Sequence, residues 1–339
     1  MKQFGLRLIL SVLIVSLGLA VAPLQPREQQ ELDPAQGGED HVGQPIPPYM
    51  TGDECLFCHR DIGKSWPTNP HQLTLRPALP DDPSSTLLSQ LSGGDELLGQ
   101  ADFLMGGQRV ARALKRSTKY GRLELSSARA FPADASSNEP QQSTKDSLEH
   151  VWHASHFADR CAGCHCTAVD AQNRAFSSVG LDCYVCHGVV DLNHTKDTRQ
   201  VLLSTTNQPA KQVAAICGQC HLRGGHSKSS SLPYPNTFVP GDNLFRDFQV
   251  DLSEQNIQSM VPIERHIFEN VRDIVVLGRE QVTCLSCHQV HGNDVSRHRE
   301  VQATAICGSC HTSTEHPEAL IENYQRALDR GAASRTCEY

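Results

Sequence analysis

One short pattern, Cys-x-x-Cys-His, occurs six times in this chain and constrains its structure more than any other feature. The copies, numbered motifs 1 to 6 in chain order, lie at residues 55–59, 161–165, 183–187, 217–221, 284–288 and 307–311. They use twelve of the fourteen cysteines. This pattern is typical of covalent haem c attachment, in which two thiols bond to the porphyrin edge and the histidine binds one axial position of the iron.

The sequence therefore predicts six covalently attached haem c groups. The cysteines predicted to bind the porphyrins are Cys55, Cys58, Cys161, Cys164, Cys183, Cys186, Cys217, Cys220, Cys284, Cys287, Cys307 and Cys310. The predicted proximal iron ligands are His59, His165, His187, His221, His288 and His311. Zinc ribbons and thioredoxin-like sites also use Cys-x-x-Cys pairs, but neither requires a histidine directly after the second cysteine. All six copies have one, which favours haem.

Histidine is also the predicted distal iron ligand. Of the seventeen histidines, six lie in motifs and eleven remain, whereas only three methionines, Met50, Met105 and Met260, follow the N-terminal apolar segment. Bis-histidine ligation holds haem at lower potential than histidine/methionine ligation does. The candidate distal ligands are His71, His156, His194 and His291, each close to a motif, followed by His266 and His316 and then by His226, His298 and His153. His150 and His41 are predicted bystanders.

Two cysteines, Cys166 and Cys337, lie outside the motifs. Three interpretations remain open: a disulfide between them in an oxidising compartment, two unpaired thiols, or ligation of iron by a Cys166 thiolate. No residue is assigned a catalytic role.

The N-terminus predicts export. Lys2 and Arg7 precede an apolar run from Leu8 to Ala22, the pattern of a signal peptide over residues 1–22. An uncleaved anchor in the inner membrane is the alternative, although the run is shorter than the roughly 20 residues of a bilayer span. Either case places the domain in the periplasm or another extracytoplasmic space. Residues 23–50 are predicted as a flexible linker, 51–316 as the multihaem domain, and 317–339 as a C-terminal helix and tail.

The predicted fold is mainly α with much irregular loop, packed around haem. Only 5% of residues are aromatic, so a protein-only core would be thin, and porphyrins would supply apolar surface. Residues 253–276 show helical spacing with a break at Pro262. A small β-rich insert is predicted near residues 95–131, with an apolar strand over 97–105. Its basic run, residues 109–119, is predicted as a solvated face, with a docking patch for a redox partner as the alternative.

The formal net charge of −8 disfavours nucleic acid as a partner, because nucleic-acid-binding proteins usually present a basic face. Redox proteins are the predicted partners: a donor on the quinol side of the membrane and a terminal reductase or oxidase. Association with the membrane would occur through the N-terminus. Short tethers predict close contact between the haems of motifs 2 and 3 and of motifs 5 and 6.

The spacing of Trp152 and His156 before motif 2, Gly180-Leu-Asp before motif 3, and His291-Gly292 after motif 5 resembles multihaem c-type cytochromes of the cytochrome c-552/c-554 kind over residues 51–316. The resemblance implies a mostly helical and loop-built periplasmic electron carrier with haems stacked in pairs. The wider group includes enzymes acting on nitrite, hydroxylamine or sulfur oxyanions. The Cys-x-x-Cys-Lys motif of the nitrite reductases is absent here.

These observations favour a periplasmic hexahaem cytochrome that carries electrons between redox partners. The first alternative is a haem oxidoreductase acting on a small nitrogen or sulfur compound at one haem with an open iron position. The second is a structural or sensing module.

Overall fold

Short helices, small antiparallel sheets and long irregular connections make up the computed structural model of the chain. It describes residues 41–107, 110–132, 150–204 and 207–292. The predicted signal peptide, motif 6, His316, Cys337 and the predicted C-terminal helix lie outside these residues.

The helices are α1 Gly52–Cys58, α2 Arg60–Gly63, α3 Pro83–Ser89, α4 Gly94–Gln100, α5 His156–Arg160, α6 Ala162–His165, α7 Cys183–His187, α8 Ala210–His221, α9 Leu244–Asp247, α10 Glu254–Ser259, α11 Pro262–Val275 and α12 Cys284–Cys287. Four 3₁₀ turns span Trp66–Thr68, Gln72–Thr74, Leu192–Thr195 and Thr198–Gln200. The strands are β1 Leu75–Pro77, β2 Phe103–Gly106, β3 Ala111–Arg116, β4 Leu123–Ser126, β5 Trp152–His153, β6 Cys166–Asp170, β7 Ala175–Val179, β8 His226–Ser227 and β9 Phe248–Gln249.

The predicted β-rich region near residues 95–131 is present, and the sheet extends beyond it. Strands β1 to β5 form an antiparallel sheet in chain order, so residues 75–77 and 152–153 supply its two edges. The strand predicted over 97–105 is wrong in its first half, because Leu97 lies in helix α4. Asp95 and Glu96 in the first turn of α4 favour a helix start there, since acidic side chains stabilise the positive end of the helix dipole.

The two faces of this sheet bury different partners, as the alternation of side chains along a strand requires. Leu104 and Ala113 face Leu88 and Leu97 of helices α3 and α4. The opposite face includes Leu114 and Leu125 and packs against Phe157, Ala162 and Cys166. Motif 2 is therefore seated on one face of the sheet.

A second core forms around helices α8 and α11. Ala214 of α8 is fully buried with Phe268, Val271 and Ile274 of α11. The helical spacing predicted over residues 253–276 is confirmed, with the break between α10 and α11 just before Pro262. This core supports motif 4, which occupies the last turn of α8.

The folded part begins before the predicted boundary at residue 51. Tyr49 stacks on Tyr184 of motif 3 at 4.1 Å between ring centroids, and Nδ1 of His41 lies 2.8 Å from Asp242 Oδ1. Proline content alone predicted a linker here, but burial of an aromatic ring against Tyr184 fixes residues 41–50 to the domain. Across the part of the chain that the structure describes, no helix has the length and apolar character needed to cross a membrane.

Candidate haem-binding sites

Each of the five described motifs lies in a short helical turn, on α1, α6, α7, α8 or α12. Positions i, i+3 and i+4 share one side of a helix. The two thiols and the following histidine of each motif therefore present to the same side, as attachment to one porphyrin requires.

Thiols of different motifs contact one another. Three pairs of thiols lie close enough to shift each other's pKa: Cys55 with Cys183, Cys164 with Cys220, and Cys217 with Cys284. These contacts join motif 1 to motif 3, motif 2 to motif 4, and motif 4 to motif 5. The sequence predicted close contact between the haems of motifs 2 and 3, and this contact stays a prediction. The β6–β7 hairpin lies between those two motifs along the chain, and a thiol of each lies near a thiol of a motif more distant in sequence.

Three motif histidines face a histidine from outside any motif. The ring centroids of His59 and His194 lie 6.0 Å apart with 22° between the ring planes. Those of His187 and His291 lie 5.9 Å apart at 25°. His221 and His71 are 6.4 Å apart at 77°. Three candidate distal ligands, His71, His194 and His291, are thereby brought to motifs 4, 1 and 3.

This spacing fits an iron between two imidazoles. A metal–nitrogen distance of about 2 Å on each side, with about 1.1 Å from each nitrogen to its ring centre, places the ring centroids roughly 6 Å apart. Direct ring stacking would bring the rings closer, as it does for His153 and His156 at 4.1 Å. The three pairs therefore have the separation that bis-histidine haem requires.

Three of the paired histidines, His71, His187 and His221, have a pKa shifted toward the neutral form that binds metal. Burial, followed by the neighbouring His291, lowers the pKa of His187 to about 4. Burial also lowers the pKa of His71 and of His221. Neutral imidazole is the form with a free nitrogen lone pair. Nδ1 of His194 lies 2.7 Å from the carbonyl oxygen of Asp191; a carbonyl only accepts, so Nδ1 donates and Nε2 is left for iron.

His165 of motif 2 is arranged differently. Its Nδ1 donates to the carbonyl oxygen of Thr74 at 3.0 Å, which leaves Nε2 for iron. Burial lowers its pKa. Within the described ranges, no other histidine ring faces it. His156, the predicted ligand nearest to motif 2, stacks on His153 instead.

Two further predicted ligands, His266 and His226, lie at exposed positions. His266 lies exposed on α11 with its Nδ1 3.3 Å from Asn270 Nδ2. His226 is exposed in β8. His150 bonds to the carbonyl of Ser92 at 3.0 Å and His41 to Asp242, in keeping with bystander roles.

Cys166 forms no disulfide with any cysteine that the structure describes. It is 2% exposed, pairs with Val179 across the β6–β7 hairpin and packs with Phe157 and Ala162. Burial, and then the nearby Cys161, raises the pKa of its thiol well above the usual value. A buried neutral thiol is the form that packs as a small apolar side chain.

Tyr234, which the sequence did not single out, shapes motif 2. A Cβ on Gly163, inside the motif, would lie 2.2 Å from Cγ of Tyr234. Tyr234 is 1% exposed, and its hydroxyl donates to the carbonyl of Ala158. The one signal available in the sequence was a glycine between the two cysteines of motif 2.

A zinc-type arrangement is not found in the described ranges, where no three His, Cys, Asp or Glu side chains converge as a metal site. Haem needs only two opposed axial ligands and the thiols of one motif.

Comparison with known proteins agrees with haem attachment. A family model described as a doubled CXXCH motif matches residues 278–316, which contain motifs 5 and 6. The match indicates covalently attached haem c, the hallmark of multihaem c-type cytochromes. A solved structure, the undecahaem cytochrome from the S-layer of Carboxydothermus ferrireducens, is similar with 15% identity and a TM-score of 0.39 over 78% of this chain. The chain spans 43% of that cytochrome's length. No curated protein matches the sequence.

Proposed function

We propose that the chain is a hexahaem c-type cytochrome that carries electrons between redox partners outside the cytoplasm. The observation that carries this proposal is the set of three histidine pairs about 6 Å apart, His59 with His194, His187 with His291 and His221 with His71. A pair of axial histidines leaves iron no open position for a substrate. Electron transfer needs none.

The protein's part is to hold each porphyrin and its iron. The motif thiols would bond to the porphyrin, and the two imidazoles of each pair would hold its iron. When bound, haem c supplies a one-electron couple at its iron. Two imidazole ligands favour a low potential.

The proximity of thiols from different motifs supports a particular order of neighbouring haems. Cys220 of motif 4 contacts Cys164 of motif 2, and Cys217 of the same motif contacts Cys284 of motif 5. Because the thiols are the points of porphyrin attachment, contact between them supports short edge-to-edge distances. Motif 4 would then join motif 2 to motif 5, while motif 3 pairs with motif 1 through Cys183 and Cys55.

The cellular setting belongs to the same proposal. The pattern of residues 1–22 supports export, and the motif spacing supports a relative of the cytochrome c-552/c-554 kind. An exported cytochrome would exchange electrons with a quinol-side donor and a terminal reductase or oxidase.

Haem counting tests the proposal. We expect the intact mass of the denatured protein, purified after expression with the haem c attachment machinery, to exceed the polypeptide mass by six haems. A pyridine haemochrome assay should give the same number. A chain that carries no covalent haem would contradict the proposal.

A second candidate function rests on His165. Because no histidine faces it within the described ranges, motif 2 is the place where an open iron position would support reduction or oxidation of a small nitrogen or sulfur compound. Carbon monoxide added to the reduced protein distinguishes the two functions. Binding at one haem per chain would support the oxidoreductase, whereas no binding would support electron transfer alone.

A further inference from the structure

Arg112 of strand β3 is a half-buried cation whose charge acts on Cys161 of motif 2. Its Nη2 donates to the carbonyl oxygen of Ser126 at 2.9 Å, while its Nε is buried without a hydrogen-bond partner. A buried guanidinium nitrogen that lacks an acceptor is unfavourable, because it has lost water without a replacement. Desolvation by burial accordingly lowers the pKa of Arg112.

Two more arginines lie beside Arg112. The backbone bridge between Ala111 and Ala130 brings Arg129 next to Arg112 in space. Arg160 ends helix α5, directly before Cys161 of motif 2. Repulsion from both neighbours adds to the lowering of the Arg112 pKa, so the three side chains share one electrostatic environment.

Among the described residues, no carboxylate forms an ion pair that would neutralise the positive charge of these three arginines. Arg112, Arg129 and Arg160 form no ion pair within the described ranges. Asp159, the acid adjacent to Arg160, lies 3.5 Å from Nε of Arg174. The other cations of β3 do have acidic partners: Lys115 lies 3.5 Å from Glu124, and Arg116 lies 3.5 Å from Asp102.

The same cluster acts on motif 2. Arg112, Arg160 and Arg129 each lower the pKa of the Cys161 thiol, against the larger effect of burial. A positive region therefore adjoins the first attachment cysteine of motif 2.

We propose that Arg112, Arg129 and Arg160 form a binding site for an oxyanion group beside Cys161. Guanidinium groups bind oxyanions through charge-assisted, often bidentate hydrogen bonds, and the unused Nε of Arg112 supplies a buried donor. The group comes from one of two sources: a small inorganic oxyanion from solution or a propionate of a bound haem. The cluster itself does not require haem, but its position beside a redox centre rests on the function proposed above.

Calorimetric titration of the holoprotein with sodium sulfate at low ionic strength tests the first source. We expect R112Q and R160Q each to weaken sulfate binding by about tenfold or more, as loss of a charge-assisted hydrogen bond implies. R116Q is the matched control, because it removes an arginine of the same strand that Asp102 already compensates. It should change binding less than about twofold. Arg160 and Arg129 are exposed, so R160Q and R129Q test the site even if R112Q does not fold.

Resonance Raman spectroscopy tests the second source, a propionate of a bound haem. If a propionate fills the site, the wild-type protein binds no sulfate, and the resonance Raman propionate bending bands shift in R112Q or R160Q but not in R116Q. Sulfate binding that R112Q, R129Q and R160Q all leave unchanged would overturn the proposal. So would an absence of sulfate binding together with unchanged propionate bands. Intact mass reports haem attachment separately, so arginine-dependent sulfate binding in a chain without haem would contradict the proposed function and leave this site standing.

Discussion

Asn69 holds His291 from both sides. Its Nδ2 donates to the carbonyl oxygens of Val290, at 2.8 Å, and Gly292, at 2.5 Å, the two residues that flank His291. Its Oδ1 accepts the backbone N–H of His71 at 2.8 Å. One buried amide, 1% exposed, thus positions the histidines that face motifs 3 and 4.

Replacing Asn69 should loosen two iron ligands at once. In N69A, the carbonyls of Val290 and Gly292 lose their donor, and we expect a loss of about 2 kcal/mol in the free energy of unfolding. Resonance Raman spectra should also show a larger fraction of high-spin haem than in the wild type. N256A is the control, since Asn256 donates to a carbonyl on an exposed surface. A destabilised N69A whose haems all stay low-spin would limit Asn69 to a structural role.

Removing His194 should convert one haem to the high-spin state. His194 is the residue that faces His59, and without it the iron at motif 1 has one axial ligand from the protein. We expect the high-spin marker bands of H194A to correspond to one more haem per chain than in the wild type. H226A should be indistinguishable from the wild type, because His226 is exposed and faces no motif histidine among the described residues. An all-low-spin H194A would refute the pairing.

Gly163 should not tolerate a side chain. The Cβ of G163A would meet the ring of Tyr234 at 2.2 Å, and that buried ring cannot retreat without losing its bond to Ala158. We expect a loss of about 3 kcal/mol in the free energy of unfolding, measured by denaturant titration of the holoprotein.

Gly99, in helix α4, provides the matched comparison for Gly163. A Cβ there has nothing within 4 Å, so G99A should stabilise the protein by about 0.5 kcal/mol through the lower entropy of its unfolded chain. Equal stabilities of G163A and G99A would show that Tyr234 does not constrain motif 2.

The ion pair of Arg76 and Asp82 should contribute to the free energy of unfolding at neutral pH and lose that contribution in acid. Nε of Arg76 lies 2.5 Å from Asp82 Oδ2, and both side chains are largely buried. Burial alone would raise the pKa of Asp82, but hydrogen bonds from Arg76 and Ser84 lower it. A carboxyl whose pKa is lower in the folded state stabilises the fold fully above its unfolded pKa and loses this contribution as pH falls through the folded value.

We therefore expect R76Q to lose about 3 kcal/mol at neutral pH. The difference from the wild type should shrink as the pH falls below the unfolded pKa of Asp82. K64Q is the control: Lys64 and Asp61 are paired but highly exposed, so it should cost less than about 1 kcal/mol. A difference that stays constant down to strong acid would contradict this account.

Local patterns predicted much of the fold. Helical spacing identified residues 253–276 with the break before Pro262, and short apolar segments located the sheet near residues 95–131. What the patterns missed are long-range contacts. Strand β5 has only two residues, and its pairing with Leu125 depends on tertiary structure rather than on its own sequence. Tyr49 was assigned to a linker because proline content carries no information about its contact with Tyr184.

The motif residues could be identified from the sequence because each motif spans only five consecutive positions. The facing histidines were predicted only as a group, and chain order could not match them to motifs. His291 follows motif 5 closely yet faces His187 of motif 3, and His71 follows motif 1 yet faces His221 of motif 4. Asn69 and Tyr234 act through tertiary contacts, so nothing in their immediate sequence distinguished them. Arg112 belongs to the basic run predicted as a solvated face, but the structure half-buries it.

Near-infrared magnetic circular dichroism of the oxidised holoprotein tests the central claim most directly, because its charge-transfer bands identify the axial ligands of low-spin haem. The three facing pairs predict bis-histidine intensity equal to at least three haems per chain. A spectrum without bis-histidine bands, or with intensity for fewer than three such haems, would contradict the account.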